Sequence, residues 1–331
     1  MTFQQIIQLI DETAAKNVLL LCHHNSDPDA VCSAYGFQGL LLRVKPELSV
    51  EIGAGQGISK LTKNLLRYVP AKINMQPNIE KAQALFLLDT NTIQQLDPLA
   101  DRVARSLAPI IVVDHHAAHP ETQRICRLCL TNEEASSTCD IVYGFYKEQN
   151  LKPSLDVARA LFLGMAFDTR HFVLASSATF KAVADLVDNG VNAQEALGML
   201  AMPMDFSERV ARVKACRRAK IIRVGDWIIA FSHVSAFQAS AARALVDLGA
   251  HMAAVAGKKG DGIEISMRCT REFAEKTGIH LGKDIAKPLG EALQGQGGGH
   301  AMAAGVNARG DVKTGLKRCL KLLKENLSNP E

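Results

Sequence analysis

Val18-Leu19-Leu20-Leu21-Cys22-His23-His24-Asn25-Ser26-Asp27-Pro28-Asp29 decides how the first half of this 331-residue chain is read. Five uncharged apolar residues in a row are far too few to span a bilayer, and they suit a strand buried on both faces of a parallel sheet. Directly behind them stand an imidazole and two carboxylates spaced His23-x-x-x-Asp27-x-Asp29. That spacing fits a loop wrapped round a cation, with alternate side chains turned to one point. Crowded carboxylates repel and lose hydration, so such a group needs a cation or another partner. Outward from this stretch the pattern repeats. Ser49–Ile52, Leu85–Leu88 and Ile110–Val113 are short apolar runs; Asp89 ends the second of these and Asp114-His115-His116 the third. Helical stretches accompany them, Phe3–Lys16 with Ile6, Ile7, Leu9 and Ile10 on one side, and Val31–Val44. Alternation of this kind predicts βαβ units, and ligands of open parallel sheets bind beyond the carboxyl ends of strands, where these clusters fall.

Farther along, Ser154–Phe167 and Ser176–Asn189 read as helices, the second closed by Gly190. Asp168 is expected to end a helix packed near the clusters. The expected organisation is α/β with two domains: a larger parallel-sheet domain at 1–195, a linker helix at 196–220, and a smaller α/β domain with a mixed sheet at 221–331. Arg209, Arg212, Lys214, Arg217, Arg218 and Lys220 make the linker look exposed. The last domain offers strands at Trp227–Phe231 and Ile263–Arg268, helices at Ala236–Leu248 and Val312–Leu327, and a hairpin turn within Gly257–Gly262.

Composition sets bounds. The chain is 47% apolar and 22% charged, ordinary for a soluble globular protein. A net charge of +4 is too small to announce a nucleic-acid binder, but it is unevenly spread. Residues 1–195 hold 17 Lys/Arg against 21 Asp/Glu, and residues 196–331 hold 21 against 13. An acidic half with metal-like clusters joined to a basic half suggests cations held by one and an anion gripped by the other. MTFQQIIQLIDET has no basic start, so a cytoplasmic location is expected, with no membrane partner. Eight scattered cysteines read as buried thiols. Cys126-x-x-Cys129 has no second ligand pair at zinc spacing, and Ile125–Leu128 alternates like a strand.

Taken in order, His-x-x-x-Asp-x-Asp, Asp89, Asp114-His115-His116 and Asp168 resemble the four motifs of the DHH phosphoesterases. Gly297-Gly298-Gly299-His300 and the residues after it (GGGHAMAAG, to Gly305) resemble the glycine-rich motif of the DHH-associated C-terminal domain of nano-RNases and RecJ-type nucleases. The resemblance implies one metal on His23, Asp27 and Asp89, and another on Asp29, Asp89, His115 and Asp168, so that Asp89 bridges them. Two divalent cations about 3.5–4 Å apart activate water and polarise a phosphoryl group. Mixed imidazole and carboxylate ligands favour Mn²⁺, with Mg²⁺ the alternative. Asp114 would orient an imidazole, and His116 would face the substrate phosphate as a catalytic group. Gly298, Gly299, His300 and Arg268 would bind substrate. The implied activity is hydrolysis of phosphate esters on short RNA or DNA oligonucleotides, dinucleotides or 3′-phosphoadenosine 5′-phosphate, by an enzyme that can pair as a homodimer.

Three alternatives stand beside it: a RecJ-like exonuclease on single strands, a manganese pyrophosphatase, and a nucleotide binder without turnover. His24 is read as a packing or surface residue, and His119 and His171 stand outside the ligand set as weaker candidates. Gly53-Ala54-Gly55-Gln56-Gly57 has Ile58 where a dinucleotide loop needs its last glycine. Arg170 departs from the pattern, since many relatives have glycine after the threonine of this motif.

Overall fold

A computed structural model describes residues 2–201 and 204–328. It divides into two compact units, Met1–Met202 and Pro203–Glu331. The first holds a six-stranded sheet of β1 (Asn17–Cys22), β2 (Ser49–Gly53), β3 (Ile73–Asn74), β4 (Ala84–Leu88), β5 (Ile110–Asp114) and β6 (Leu128–Thr131). Strand order is β3-β2-β1-β4-β5-β6, and each neighbouring pair is parallel. Both faces are buried. Leu20, Cys22, Phe86, Leu88, Ile111 and Val113 pack in one core cluster, while Leu19, Leu21, Leu85, Leu87, Ile110 and Val112 pack in another. Continuous apolar runs, rather than alternating ones, follow from that double burial.

The order reverses between β1 and β4, which are neighbours in the sheet but separated by β2 and β3 in sequence. Chains leaving these two strands pack on opposite faces, and in open parallel sheets ligands bind at the carboxyl ends of such a strand pair. Helices Pro28–Val44, Thr138–Glu148 and Leu155–Asp168 cover the first core; Ala30, Val31, Phe37, Val142, Leu161 and Phe162 lie within it. The helix Ser177–Asp188 ends as expected, with Gly190 at φ 100° and Val191 N–H donating to the Leu186 carbonyl at 3.2 Å.

The second unit carries a mixed sheet of β7 (Lys220–Val224), β8 (Trp227–His233), β9 (Met252–Lys259), β10 (Gly262–Cys269), β11 (Gln296–Gly299) and β12 (Ala303–Arg309). Its order is β11-β12-β10-β9-β8-β7, with β8 and β9 parallel and the other pairs antiparallel. The helix Val312–Ser328 packs on one face through Cys319 and Leu323; Gln238–Asp247 packs on the other through Ala241, Ala242 and Leu245.

Two local expectations change. The basic segment thought to connect the domains is a helix, Phe206–Arg218, of the second unit: Ala211 and Ala215 are buried, and Ala215 packs with Ala241 and Leu245. Ile125–Leu128 is not a strand; Ile125 ends the helix Pro120–Ile125, Cys126 caps it, and β6 starts at Leu128. The glycine-rich segment Gly297–Gly299 lies in edge strand β11.

Candidate metal centre

Local sequence sets each functional side chain at the carboxyl edge of the parallel sheet. After β1, Pro28 starts a helix at its first position and Asp27 caps it, its Oδ1 accepting the Ala30 N–H at 3.1 Å. Asp29, in that first turn, is wholly buried. The loop before it is pinned by Ser26, which forms a parallel bridge with Ile58; Ser26 N–H donates to the Gly57 carbonyl at 3.2 Å. The glycine-rich stretch 53–57 thus supports the His23 loop. Asp89 follows β4 at φ 53°, Asp114 is the last residue of β5, and Asp168 is the last residue of the helix Leu155–Asp168.

Ligand atoms of His23, Asp27 and Asp89 lie within 4.8 Å of one another, and so do those of Asp29, His115 and Asp168. A third such group joins Asp89, Asp114, His115 and His116. His23 Nε2 is 3.8 Å from Asp27 Oδ1 and 3.9 Å from Asp89 Oδ2. Its Nδ1 faces the His24 carbonyl at 2.8 Å, which calls for a hydrogen on Nδ1 and leaves the Nε2 lone pair turned toward the carboxylates. His115 Nε2 is 3.6 Å from Asp89 Oδ1 and 3.0 Å from Asp168 Oδ2. Asp89 therefore touches both groups.

Electrostatics shows what the crowding does. Burial, then Asp27, Asp114 and Asp168, push Asp89 up to about 7. Burial, Asp89 and Asp168 hold Asp29 well above the carboxylate range. Burial pulls His115 down, but Asp168 and Asp89 more than offset it; His23 is raised in the same way by Asp27, its backbone contact and Asp89. These shifts say that protons would have to fill the site if nothing else did.

A divalent cation fits better. His115 Nε2 is buried without a hydrogen-bond partner, despite its nearness to Asp168, and Asp114 Oδ2 is buried without one as well. An orphaned ring nitrogen facing carboxylates is a donor set for a transition metal. Asp114 serves His116, its Oδ1 lying 2.8 Å from both the His116 N–H nitrogen and Nδ1. That contact, with burial opposing it, lifts the half-exposed His116 to about 9.

Other expected residues divide. His24 Nδ1 turns to the Gln95 carbonyl at 3.1 Å, and His119 caps the helix Pro120–Ile125. Arg170, His171 and Phe172 have φ of 52°, 58° and 69°. Left-handed backbone at 170 is a conformation that glycine would take without strain and that Arg170 takes at a cost. In the second unit, Arg268 on β10 pairs across with Ala303, and Gly298 on β11 with Gly305, which in turn pairs with Ser266. By register Arg268 and Gly298 emerge on the same sheet face. A Cβ on Gly298 would meet nothing within 4 Å, whereas one on Gly299 would lie 2.5 Å from the Ala303 carbonyl oxygen. The sheet face above Gly298 is thus open. His300 is exposed just after β11.

Sequence reasoning missed Thr138 and Cys139. Thr138 N–H donates to Asp29 Oδ2 at 2.7 Å, Cys139 N–H to Asp29 Oδ1 at 3.0 Å, and Thr138 Oγ1 to Asp89 Oδ1 at 3.0 Å. Ser137-Thr138-Cys139-Asp140 carried a helix-start signal, Ser-x-x-Asp, and Ser137 does cap the helix.

A profile described as the DHH family, N-terminal domain, matches residues 17–165, and one described as the DHHA1 domain matches residues 224–329. The chain is 33% identical over 317 residues to the uncharacterized protein MJ0988 of Methanocaldococcus jannaschii, covering 95% of this chain and 94% of that one. It is 32% identical over 211 residues to a probable manganese-dependent inorganic pyrophosphatase of Streptococcus thermophilus, covering 59% and 63%. Over 193 residues it is 25% identical to the cyclic-di-AMP phosphodiesterase GdpP of Bacillus subtilis, covering 54% and 29%. The two matches follow one another along the chain, which belongs to the DHH family of phosphoesterases.

Proposed function

We propose that this protein is a two-metal hydrolase of phosphate esters on short nucleotides: oligoribonucleotides, dinucleotides or 3′-phosphoadenosine 5′-phosphate. The observation that carries the reading is the convergence of His23, Asp27 and Asp89 beside Asp29, His115 and Asp168, with Asp89 reaching both sets. His23, Asp27 and Asp89 would hold one Mn²⁺ or Mg²⁺, and Asp29, Asp89, His115 and Asp168 the other. When bound, such a pair activates water and withdraws charge from the phosphoryl group. His116, charged through its contact with Asp114 and half exposed, would place a proton donor at the substrate oxygen. Asp114 keeps that ring in one orientation. In the basic second unit, Gly298, Gly299, His300 and Arg268 would bind substrate.

A second reading, pyrophosphate hydrolysis, is favoured by the likeness to a manganese-dependent pyrophosphatase over 59% of the chain. The DHHA1 match at 224–329, with its glycine-rich strand, supports the nucleotide reading instead. Turnover with Mn²⁺ on a dinucleotide, on 3′-phosphoadenosine 5′-phosphate and on pyrophosphate separates them. Hydrolysis of either nucleotide is expected; phosphate release from pyrophosphate alone would discard the nucleotide reading.

A further inference from the structure

We propose that Thr138 is a positioning residue that couples the two ion sites, an inference that rests on the two-metal reading. Thr138 is wholly buried and begins the helix Thr138–Glu148. Its amide, with that of Cys139, holds both oxygens of Asp29, at 2.7 and 3.0 Å. Its hydroxyl donates to Asp89 Oδ1 at 3.0 Å. One residue therefore grips a ligand particular to one ion set and the ligand common to both.

The geometry says what each contact does. Asp89 Oδ2 lies 3.9 Å from His23 Nε2, and Asp89 Oδ1 lies 3.6 Å from His115 Nε2, so the two oxygens point to different sites. Rotation of that carboxylate about its last torsion, which is broad and soft, would mix the two directions. The Thr138 hydroxyl hydrogen holds the plane. Asp29, two positions into another helix, receives its charge compensation from two amides at a helix N-terminus. Gly164 closes the alternative: a Cβ there would sit 2.9 Å from Asp29 Oδ1 and 2.2 Å from Cys139 Sγ, so the Leu155–Asp168 helix already abuts the carboxylate. Asp29 has no room to swing away from Thr138.

Thr138→Val keeps the volume and the amide and removes the hydroxyl. Metal-free protein titrated calorimetrically with Mn²⁺ should bind two ions in wild type, and about 10–100-fold more weakly in Thr138→Val, as for other partners that orient metal ligands. Thr138→Ser should restore wild-type binding, and the melting temperature in chelator should be the same for all three. A merely structural role predicts the opposite split, with melting lowered and ion binding intact in the folded fraction. If Thr138→Val does not fold, Thr138→Ala takes its place in the same titration. Unchanged Mn²⁺ affinity and stoichiometry in a folded variant lacking the hydroxyl, beside a wild type that binds two ions, overturns the role of Thr138 alone. A wild type that binds no ion pair overturns the two-metal reading, and this proposal with it.

Discussion

Asp89 is 5% exposed, sits at φ 53°, and shares its surroundings with Asp27, Asp114 and Asp168. Its left-handed backbone costs free energy of about 1–2 kcal/mol, and Asp is one of few residues that accept it. Without a cation, the charge at this point is a liability. Asp89→Asn should remove the shared ligand, lowering Mn²⁺-dependent turnover by several orders of magnitude, while raising the melting temperature measured in chelator. Near-normal turnover would refute the bridging role. The same crowding gives a pH dependence. An Asp at about 7 in the folded state and 3.8 otherwise keeps its proton in the fold across the interval between, so stability falls as pH rises through it. His23 and His115 are also raised, and stability from them is likewise lost as pH rises. Metal-free protein should therefore be less stable at pH 8 than at pH 5.5 by a few kcal/mol, since one pKa unit is about 1.4 kcal/mol. Saturating Mn²⁺ should abolish or invert that difference; equal melting curves in chelator at the two pH values would contradict it. The ligands could be found in the sequence because each ends an apolar run or fits a loop spacing. Thr138 could not: it lies 109 residues from Asp29, and only the packing of two helices brings them together.

Edge strand β11 shows why glycine repeats are hard to read. Gly297-Gly298-Gly299 reads as a ligand-binding glycine motif, yet Gly297 lies where a Cβ would be 1.8 Å from the Ala286 carbonyl oxygen. Gly282 and Gly290 press from the neighbouring helical turns, with Cβ positions 2.1 Å from the Gly299 oxygen and 2.4 Å from the Gly297 nitrogen. Two of the motif's glycines are thus demanded by backbone-to-backbone packing, and Gly298 is not. Gly297→Ala should unfold or strongly destabilise the second unit. Gly298→Ala should leave circular dichroism and melting near wild type but weaken nucleotide binding, seen as a raised KM. If Gly298→Ala changed neither KM nor kcat, the open face at Gly298 would have no bearing on substrate. Strands β9 and β12 also escaped the sequence reading, because Ala-rich runs such as Ala303–Arg309 lack the bulky apolar residues that fill β1, β4 and β5. The parallel sheet was legible because double burial leaves long uninterrupted apolar runs.

The two units have separate cores, and the residues proposed to hold ions all belong to the first. Among the described residues no helix is long and apolar enough to cross a membrane. Ligands that bind the folded state alone stabilise it by mass action, about 2.7 kcal/mol at a hundred times Kd. Scanning calorimetry should show Mn²⁺ raising the transition that carries the first unit and leaving the second near its metal-free position. Equal shifts of both would contradict an ion site confined to Met1–Met202. What the sequence disclosed at this scale was the division into an acidic and a basic half and the order of motifs. The reversal of strand order that places β1 beside β4 emerged only from the fold. Anomalous diffraction at the manganese edge, from crystals grown with Mn²⁺, tests the central claim most directly. The account predicts two peaks, one bonded to His23, Asp27 and Asp89 and one to Asp29, Asp89, His115 and Asp168. Density without a peak among these side chains, in a protein with this fold intact, would contradict it.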